Sequence, residues 1–248
     1  MSFLKIEDLT YSYQEKTTVL HGVNWSIEEG EFHCFLGKSG CGKTTLLKLA
    51  AGLLPSHSGM IRLKGKEVTG PLDECGFVFQ SPTLLEWKTV LENVLLPISL
   101  KRKITKQDRQ YGLEVLEMVG LTTYLDRYPT QLSGGQQSRV AIARALIQKP
   151  TMLFLDEPFA ALDAITREEL QGDLLKICET RHTTVLFITH DIAEAVYLSD
   201  RIAVMDQGQI IFDTAVKLKK ERHVEMKYAP YFNELCLTLR HVLGGNKR

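Results

Sequence analysis

The stretch GKSGCGKTT, residues 37–45, constrains this chain more tightly than any other. Its pattern is Gly37-x-x-x-x-Gly42-Lys43-Thr44. Glycines at that spacing permit backbone angles that turn several N–H groups inward, toward phosphate oxygens. Lys43 adds a cation for the β- and γ-phosphates, and the Thr44 hydroxyl can ligate Mg2+. The pattern carries meaning only between a strand and a helix. Here the apolar run FHCFL, residues 32–36, ends in Gly37, and KTTLLKLAAGLL, residues 43–54, has helical spacing up to Pro55. Strand, glycine-rich loop and helix in that order point to an α/β fold with a buried, mostly parallel sheet.

The rest of the chain fits around that unit. FLKIEDLTYSY and GVNWSIEEGEF read as short antiparallel strands, and GMIRLKG and CGFVFQ as further strands. Residues 83–149 change character and read as helices. Strand character returns in TMLFLDEP (151–158) and TTVLFITHD (183–191), with the amphipathic ALDAITREELQGDLLKICE between them. RIAVMDQGQIIFD suggests a hairpin turned at Asp206-Gln207-Gly208. VKLKKERHVEMK, residues 216–227, is charge-dense and is expected to be exposed; a last helix is expected through YFNELCLTLRHVL.

Two acids stand at the end of the strand MLFLD. Ligands of open α/β sheets gather at strand carboxyl ends. Asp156 there suits Mg2+ held through its water shell, and Glu157 suits the orientation and deprotonation of an attacking water. A second anion-binding pattern lies in QLSGGQQSRVAIARAL, residues 131–146. Ser133 is a good helix N-cap, but Gly134 and Gly135 add nothing to a helix start. Close approach of backbone to a phosphate at the helix N-terminus accounts for all three.

Together these motifs resemble the ATP-binding subunits of ABC transporters, in the family's order over about residues 3–215. Walker A matches Gly37, Lys38, Ser39, Gly40, Cys41, Gly42, Lys43, Thr44 and Thr45. Gln80 matches the Q-loop, LSGGQ (132–136) the signature, residues 152–157 Walker B, Ala161-Leu162-Asp163 the D-loop, and His190 the switch histidine. The resemblance implies a P-loop NTPase (RecA-like) core over 1–82 and 150–215. An N-terminal antiparallel β subdomain, an inserted helical subdomain (83–149) and a short tail (216–248) complete the implied single domain. It implies ATP and Mg2+ as ligands, the metal at Thr44, Gln80 and Asp156. Catalysis falls to Glu157, with Gln80 touching metal or water and His190 donating to the leaving phosphate. Adenine stacks on an aromatic residue, with Tyr13 the choice and Tyr11 the runner-up.

The signature implies a partner. In the family two subunits pair head to tail, and Ser133, Gly134, Gly135 and Gln136 of each cap the ATP of the other, with Asp163 shaping the contact. The partner is a second copy or a homologous ATPase subunit. FQSPTLLEWKTVLENVLLPISL (79–100) sits where family members meet a membrane permease, and its wording resembles importers of the nitrate, sulfonate and taurine type. Leu84, Leu85, Trp87 and Val90 there can form either a docking groove or lobe core. A solute-binding protein is then an indirect partner, and the cargo a small organic or inorganic anion. Soluble ABC ATPases of DNA repair or translation, and exporter ATPases, remain as alternatives.

Composition narrows the surroundings. Thirty basic and thirty acidic residues give no net charge, so nucleic acid is not an expected partner. Five scattered cysteines without Cys-x-x-Cys suit a reducing cytosol rather than a disulfide or zinc framework. No signal-peptide pattern and no run of about 18 apolar residues is found, so attachment at the inner face of the membrane is expected to run through permease subunits.

Overall fold

Alternating apolar and polar residues build the first sheet. In the computed structural model, which describes residues 2–13, 17–56 and 58–245, β1 (Leu4–Tyr13) pairs antiparallel with β2 (Thr17–Ile27). Leu4, Ile6 and Leu9 of β1 and Leu20, Val23 and Ile27 of β2 are buried. β3 (Phe32–Gly37), α1 (Lys43–Ala50), β4 (Ser58–Leu63) and β5 (Lys66–Glu67) follow. β4 pairs with the other edge of β1 and carries β5, giving the order β2-β1-β4-β5.

Helical spacing predicts α1 as far as Leu54, but the helix stops at Ala50. Gly52, at φ 70°, turns the chain hard against Gly70, where an added Cβ would lie 2.1 Å from the Gly70 carbonyl oxygen. Backbone approach of that kind overrides the apolar periodicity of Leu53 and Leu54.

The chain forms two compact units, Met1–Leu72 with His182–Arg248, and Asp73–Arg181. The second unit holds β6 (Cys75–Val78), α2 (Val90–Ser99), α3 (Lys106–Met118), α4 (Gly134–Leu146), β7 (Met152–Asp156) and α5 (Ala164–Arg181). β6 and β7 are parallel, and every residue of β7 is buried. A continuous apolar run such as MLFLD is what a strand covered on both faces requires. Helix starts are marked by capping boxes at Thr89 with Glu92, Thr105 with Asp108 and Ser133 with Gln136. α4 approaches β6 so closely that a Cβ on Gly76 would sit 2.9 Å from the Ala145 carbonyl oxygen.

The first unit resumes with β8 (Thr184–Thr189), α6 (Ile192–Leu198), β9 (Arg201–Asp206), β10 (Gln209–Ala215) and α7 (Pro230–Leu243). β3 lies between β8 and β9, parallel to both, and β10 closes the edge antiparallel to β9. β3 and β8 are buried throughout, whereas β10 alternates. The β9–β10 turn has Gln207 at φ 44° and Gly208 at φ 76°, the geometry that matches strand twist in a two-residue hairpin.

The stretch 216–227, expected to be exposed, is largely so, but Leu218, Met226 and Lys227 are half-buried and two residues turn further inward. Val216 is buried, and the Arg222 guanidinium tucks inward, donating to the Ser199 carbonyl oxygen at 2.9 Å beside Asp200 at 3.6 Å. Its burial holds its pKa below the usual arginine range, with Asp200 opposing. A buried carbonyl and a carboxylate recruited one cation from an otherwise solvated segment.

His33 of β3 is 1% exposed and joins β3 to β2. Trp25 can only donate, so its Nε1–H at 3.1 Å makes His33 Nδ1 the acceptor. His33 Nε2 then carries the proton and donates to Glu31 at 2.7 Å. Burial holds the His33 pKa below the ordinary histidine value, with Glu31 opposing. The unfolded chain therefore binds this proton more readily than the folded one. Stability from neutral His33 is present above about pH 6.5 and is lost as pH falls through the lowered folded value. Denaturant midpoints of the parent should drop between pH 7.5 and 5.5 by more than those of His33→Gln; equal drops would remove His33 as the cause.

Candidate functional site

In the first unit, β3 delivers the chain into the loop at Gly37. A Cβ there would lie 2.5 Å from the Met205 carbonyl oxygen and 2.7 Å from Cys41 Sγ, so only glycine fits beside β9. Gly42 at φ 103° is the N-cap of α1, pressed against Val19 and Leu20 of β2. The hairpin turn backs the loop: Gly208 N–H donates to the Cys41 carbonyl at 3.1 Å, and the Gly208 carbonyl accepts from His21 N–H at 3.0 Å.

Lys43 is 5% exposed, yet its charge is well served. Its Nζ donates to the carbonyl oxygens of Gly37 at 2.7 Å and Lys38 at 2.9 Å, with Cys41 Sγ at 3.8 Å. The ammonium is thus folded back on the loop that an anion would occupy. Lys38, Ser39 and Gly40 are exposed, Cys41 and Thr45 are buried, and Thr44 is half-buried in the first turn of α1. The Tyr13 and Thr45 hydroxyls meet at 3.3 Å. Tyr13 is 46% exposed, while Tyr11 is buried and packs edge-on against it at 5.0 Å. Of the two rings, only that of Tyr13 offers an open face.

His190 is exposed immediately after β8. Its neighbours lock the turn: Asp191 Oδ1 accepts from Glu194 N–H at 3.1 Å, and Thr189 Oγ1 donates to Glu194 at 2.7 Å.

In the second unit, Asp156 ends β7 at 3% exposure. Glu157 follows at φ 46°, a left-handed conformation that costs a non-glycine residue about 1–3 kcal/mol. Gln80, two residues beyond β6, places its Nε2 3.4 Å from Glu157 Oε2. An amide and a carboxylate from two different strand ends are thereby brought together.

Ser133 caps α4: its Oγ accepts from Gln136 N–H at 3.3 Å, and Gln136 Oε1 accepts from Ser133 N–H at 2.9 Å. Ser133 and Gly134 are exposed, and a Cβ on Gly134 would meet nothing nearer than Ala161 at 4.0 Å. Gly135 differs, because a Cβ there would press on Leu162 Cδ2 at 3.0 Å. Packing against Leu162 thus gives Gly135 a reason to be glycine beside the one a ligand would give, whereas no close packing contact restricts Gly134. Asp163 lies next to Leu162, and its Oδ1 accepts from Thr166 N–H at 3.0 Å at the start of α5. Those bonds to Thr166 hold its carboxyl below the usual range. The segments 133–136 and 161–163 thus adjoin one another.

Two positioning residues went unread in the sequence. Arg144, half-buried on α4, donates to the carbonyl oxygens of Pro82 at 2.8 Å and Thr83 at 2.9 Å, pinning the segment just beyond Gln80. Asn93 is fully buried; its amide donates to the carbonyls of Leu85, Lys88 and Thr89, and its Oδ1 accepts from Leu85 N–H. Only an arginine interrupting AIARAL and an asparagine inside an apolar helix hint at either. Asn93 sets the loop so that Trp87 is 74% exposed while Val90 is buried; Leu84 and Leu85 are half-buried. The four apolar residues divide between surface and core.

A family model described as ABC transporter matches residues 20–160. An uncharacterized ABC transporter ATP-binding protein of Methanocaldococcus jannaschii is 47% identical over 88% of this chain and 83% of its own length. A bicarbonate transport ATP-binding protein of Synechococcus elongatus is 49% identical, covering 83% of this chain and 76% of its own length. An aliphatic sulfonates import ATP-binding protein of Bacillus cereus is 47% identical, covering 79% and 77%. Among solved structures, a dimeric ATP-binding cassette in a post-hydrolysis state with ADP and phosphate superposes with a TM-score of 0.78 at 34% identity, over 87% of this chain and 100% of that one.

Proposed function

Because the chain belongs to the ABC transporter ATP-binding family, we propose that it is the ATP-hydrolysing subunit of an importer, driving a small organic or inorganic anion through separate permease subunits. The observation that carries the catalytic part is the Gln80–Glu157 pair at the end of a buried strand. The relatives named for bicarbonate transport and aliphatic sulfonate import support the direction and the class of cargo.

Tyr13 stacks on adenine. The loop from Gly37 to Thr45 receives the phosphates, and Lys43 exchanges its two backbone carbonyls for phosphate oxygens. Glu157 orients the attacking water and accepts its proton, while the Gln80 amide holds the carboxylate in line. His190, fixed on its locked turn, donates to the leaving phosphate. Thr44, Gln80 and Asp156 offer a hydroxyl, an amide oxygen and a carboxylate, donors suited to a hard cation. No cluster of three or more His, Cys, Asp or Glu side chains among the described residues could hold a metal alone. Those three residues would hold Mg2+ brought by the nucleotide, and the ion would neutralise charge on the phosphates.

Ser133, Gly134, Gly135 and Gln136 cap the nucleotide of a second ATPase subunit, with Asp163 at the contact. The dimeric cassette relative supports this pairing. No helix among the described residues is long and apolar enough to cross a membrane; attachment to the cytoplasmic face is assigned to the permease subunits. The exposed Trp87 loop is the contact assigned to it. Affinity purification from membranes should recover an integral membrane protein, and Trp87→Glu should release it while ATPase activity persists. Recovery of DNA or ribosomes in its place would move the chain to the non-transport ATPases.

A further inference from the structure

Tyr13 ends β1 and Thr45 stands in the first turn of α1, yet their hydroxyls meet at 3.3 Å. A threonine in a helix commonly turns its hydroxyl back to a carbonyl three or four residues before it. Thr45 does not. Among the described residues its hydroxyl has no hydrogen bond but the one to Tyr13. The Cys41 carbonyl, four residues before it, accepts from Gly208 N–H at 3.1 Å.

The two partners differ in how firmly they are held. Thr45 is 8% exposed and packed in place, whereas Tyr13 is 46% exposed. A ring that open has few contacts to fix its plane. Tyr11 supplies one, edge-on at 5.0 Å and 88°. The Thr45 oxygen supplies a second, at the hydroxyl end of the ring.

We propose that Thr45 is a positioning residue for the base: its hydroxyl accepts from Tyr13 O–H, fixing the ring as the adenine platform, and turns its own proton to the phosphates in the loop. This rests on the roles assigned above to Tyr13 and to the loop from Gly37 to Thr45. A hydroxyl has one proton and two lone pairs, so one oxygen serves both partners. At 3.3 Å the tie is long for a bond between hydroxyls. Donation to an anion polarises the Thr45 oxygen into a better acceptor, so phosphates in the loop strengthen the hold on the ring. The two ends of the nucleotide are thereby bound cooperatively.

Calorimetry on the full chain tests this, with adenylyl imidodiphosphate, a non-hydrolysable ATP analogue, and with inorganic tripolyphosphate, which has no base. Tyr13→Phe keeps the ring and loses the tie. It should bind the analogue about fivefold more weakly, the worth of one neutral hydrogen bond, and tripolyphosphate within about twofold of the parent. Thr45→Val keeps the shape of a buried side chain and loses the hydroxyl. Its cost to analogue binding should be about fivefold greater in the parent than in Tyr13→Phe, because the tie is lost only once. Thr45→Ser, which restores the hydroxyl, should bind the analogue within about twofold of the parent. Parental binding of the analogue by Tyr13→Phe, an equal loss of tripolyphosphate binding there, additive effects of the two substitutions, or no recovery in Thr45→Ser would each overturn the tie. Tyr13→Ala separates the tie from the platform. If that variant binds the analogue as the parent does, the platform reading fails and takes the tie with it. If it binds weakly while Tyr13→Phe binds normally, the platform stands and the tie alone fails.

Discussion

Glu157→Gln should bind ATP as the parent does, lose turnover by about 10²–10⁴-fold, the usual share of a general base, and accumulate as an ATP-bound dimer. Glutamine has the same length and can keep a contact with Gln80, now 3.4 Å from the carboxylate. It has the same backbone preferences at φ 46°, so the strained turn after β7 is retained. Only the capacity to accept a proton is lost. Since the γ-phosphate then stays in place, whatever it holds together stays together. Phosphate release and size-exclusion chromatography with ATP measure the two halves of this result. Hydrolysis at the parental rate would assign the base elsewhere.

The second large effect is expected at Ser133, and a pair of variants separates its two duties. Ser133→Ala removes the hydroxyl that caps Gln136 N–H, costing about 1 kcal/mol of stability, and leaves the helix start open to a phosphate. Ser133→Arg also loses the cap but fills the exposed helix start with a long side chain. It should lower hydrolysis by about 10²–10³-fold, as loss of a charge-stabilising donor does. ATP binding by the dilute monomer should be unchanged, because the phosphate contacts are assigned to the loop from Gly37 to Thr45 and not to Ser133. Loss of monomer binding in Ser133→Arg would sink the idea that this helix start serves a neighbouring subunit's nucleotide.

Regular patterns were legible in the chain, and single polar residues were not. FHCFL, MLFLD and TVLFIT announce buried strands because a strand covered on both faces tolerates no polar alternation. The glycine loop, Gln80, Glu157 and the signature could be assigned from spacing and resemblance. Arg144 and Asn93 could not, because their partners are backbone carbonyls, which every sequence possesses at every position. The end of α1 was missed for a similar reason: Gly52 approaches the backbone of Gly70, and periodicity says nothing of backbone approach. Gly135 has in addition a packing reason to be glycine, its close contact with Leu162, which no sequence pattern carries.

The clasp that Asn93 places on the loop at 85–89 has an optical consequence. The chain has two tryptophans. One indole, Trp25, is 6% exposed and donates to a histidine; the other, Trp87, stands 74% in solvent on a loop already fixed in shape. An aqueous quencher should therefore extinguish one emission component and spare the other. The quenchable component would report whether the loop is covered, and the protected one whether His33 has taken up a proton, with no label added to the protein.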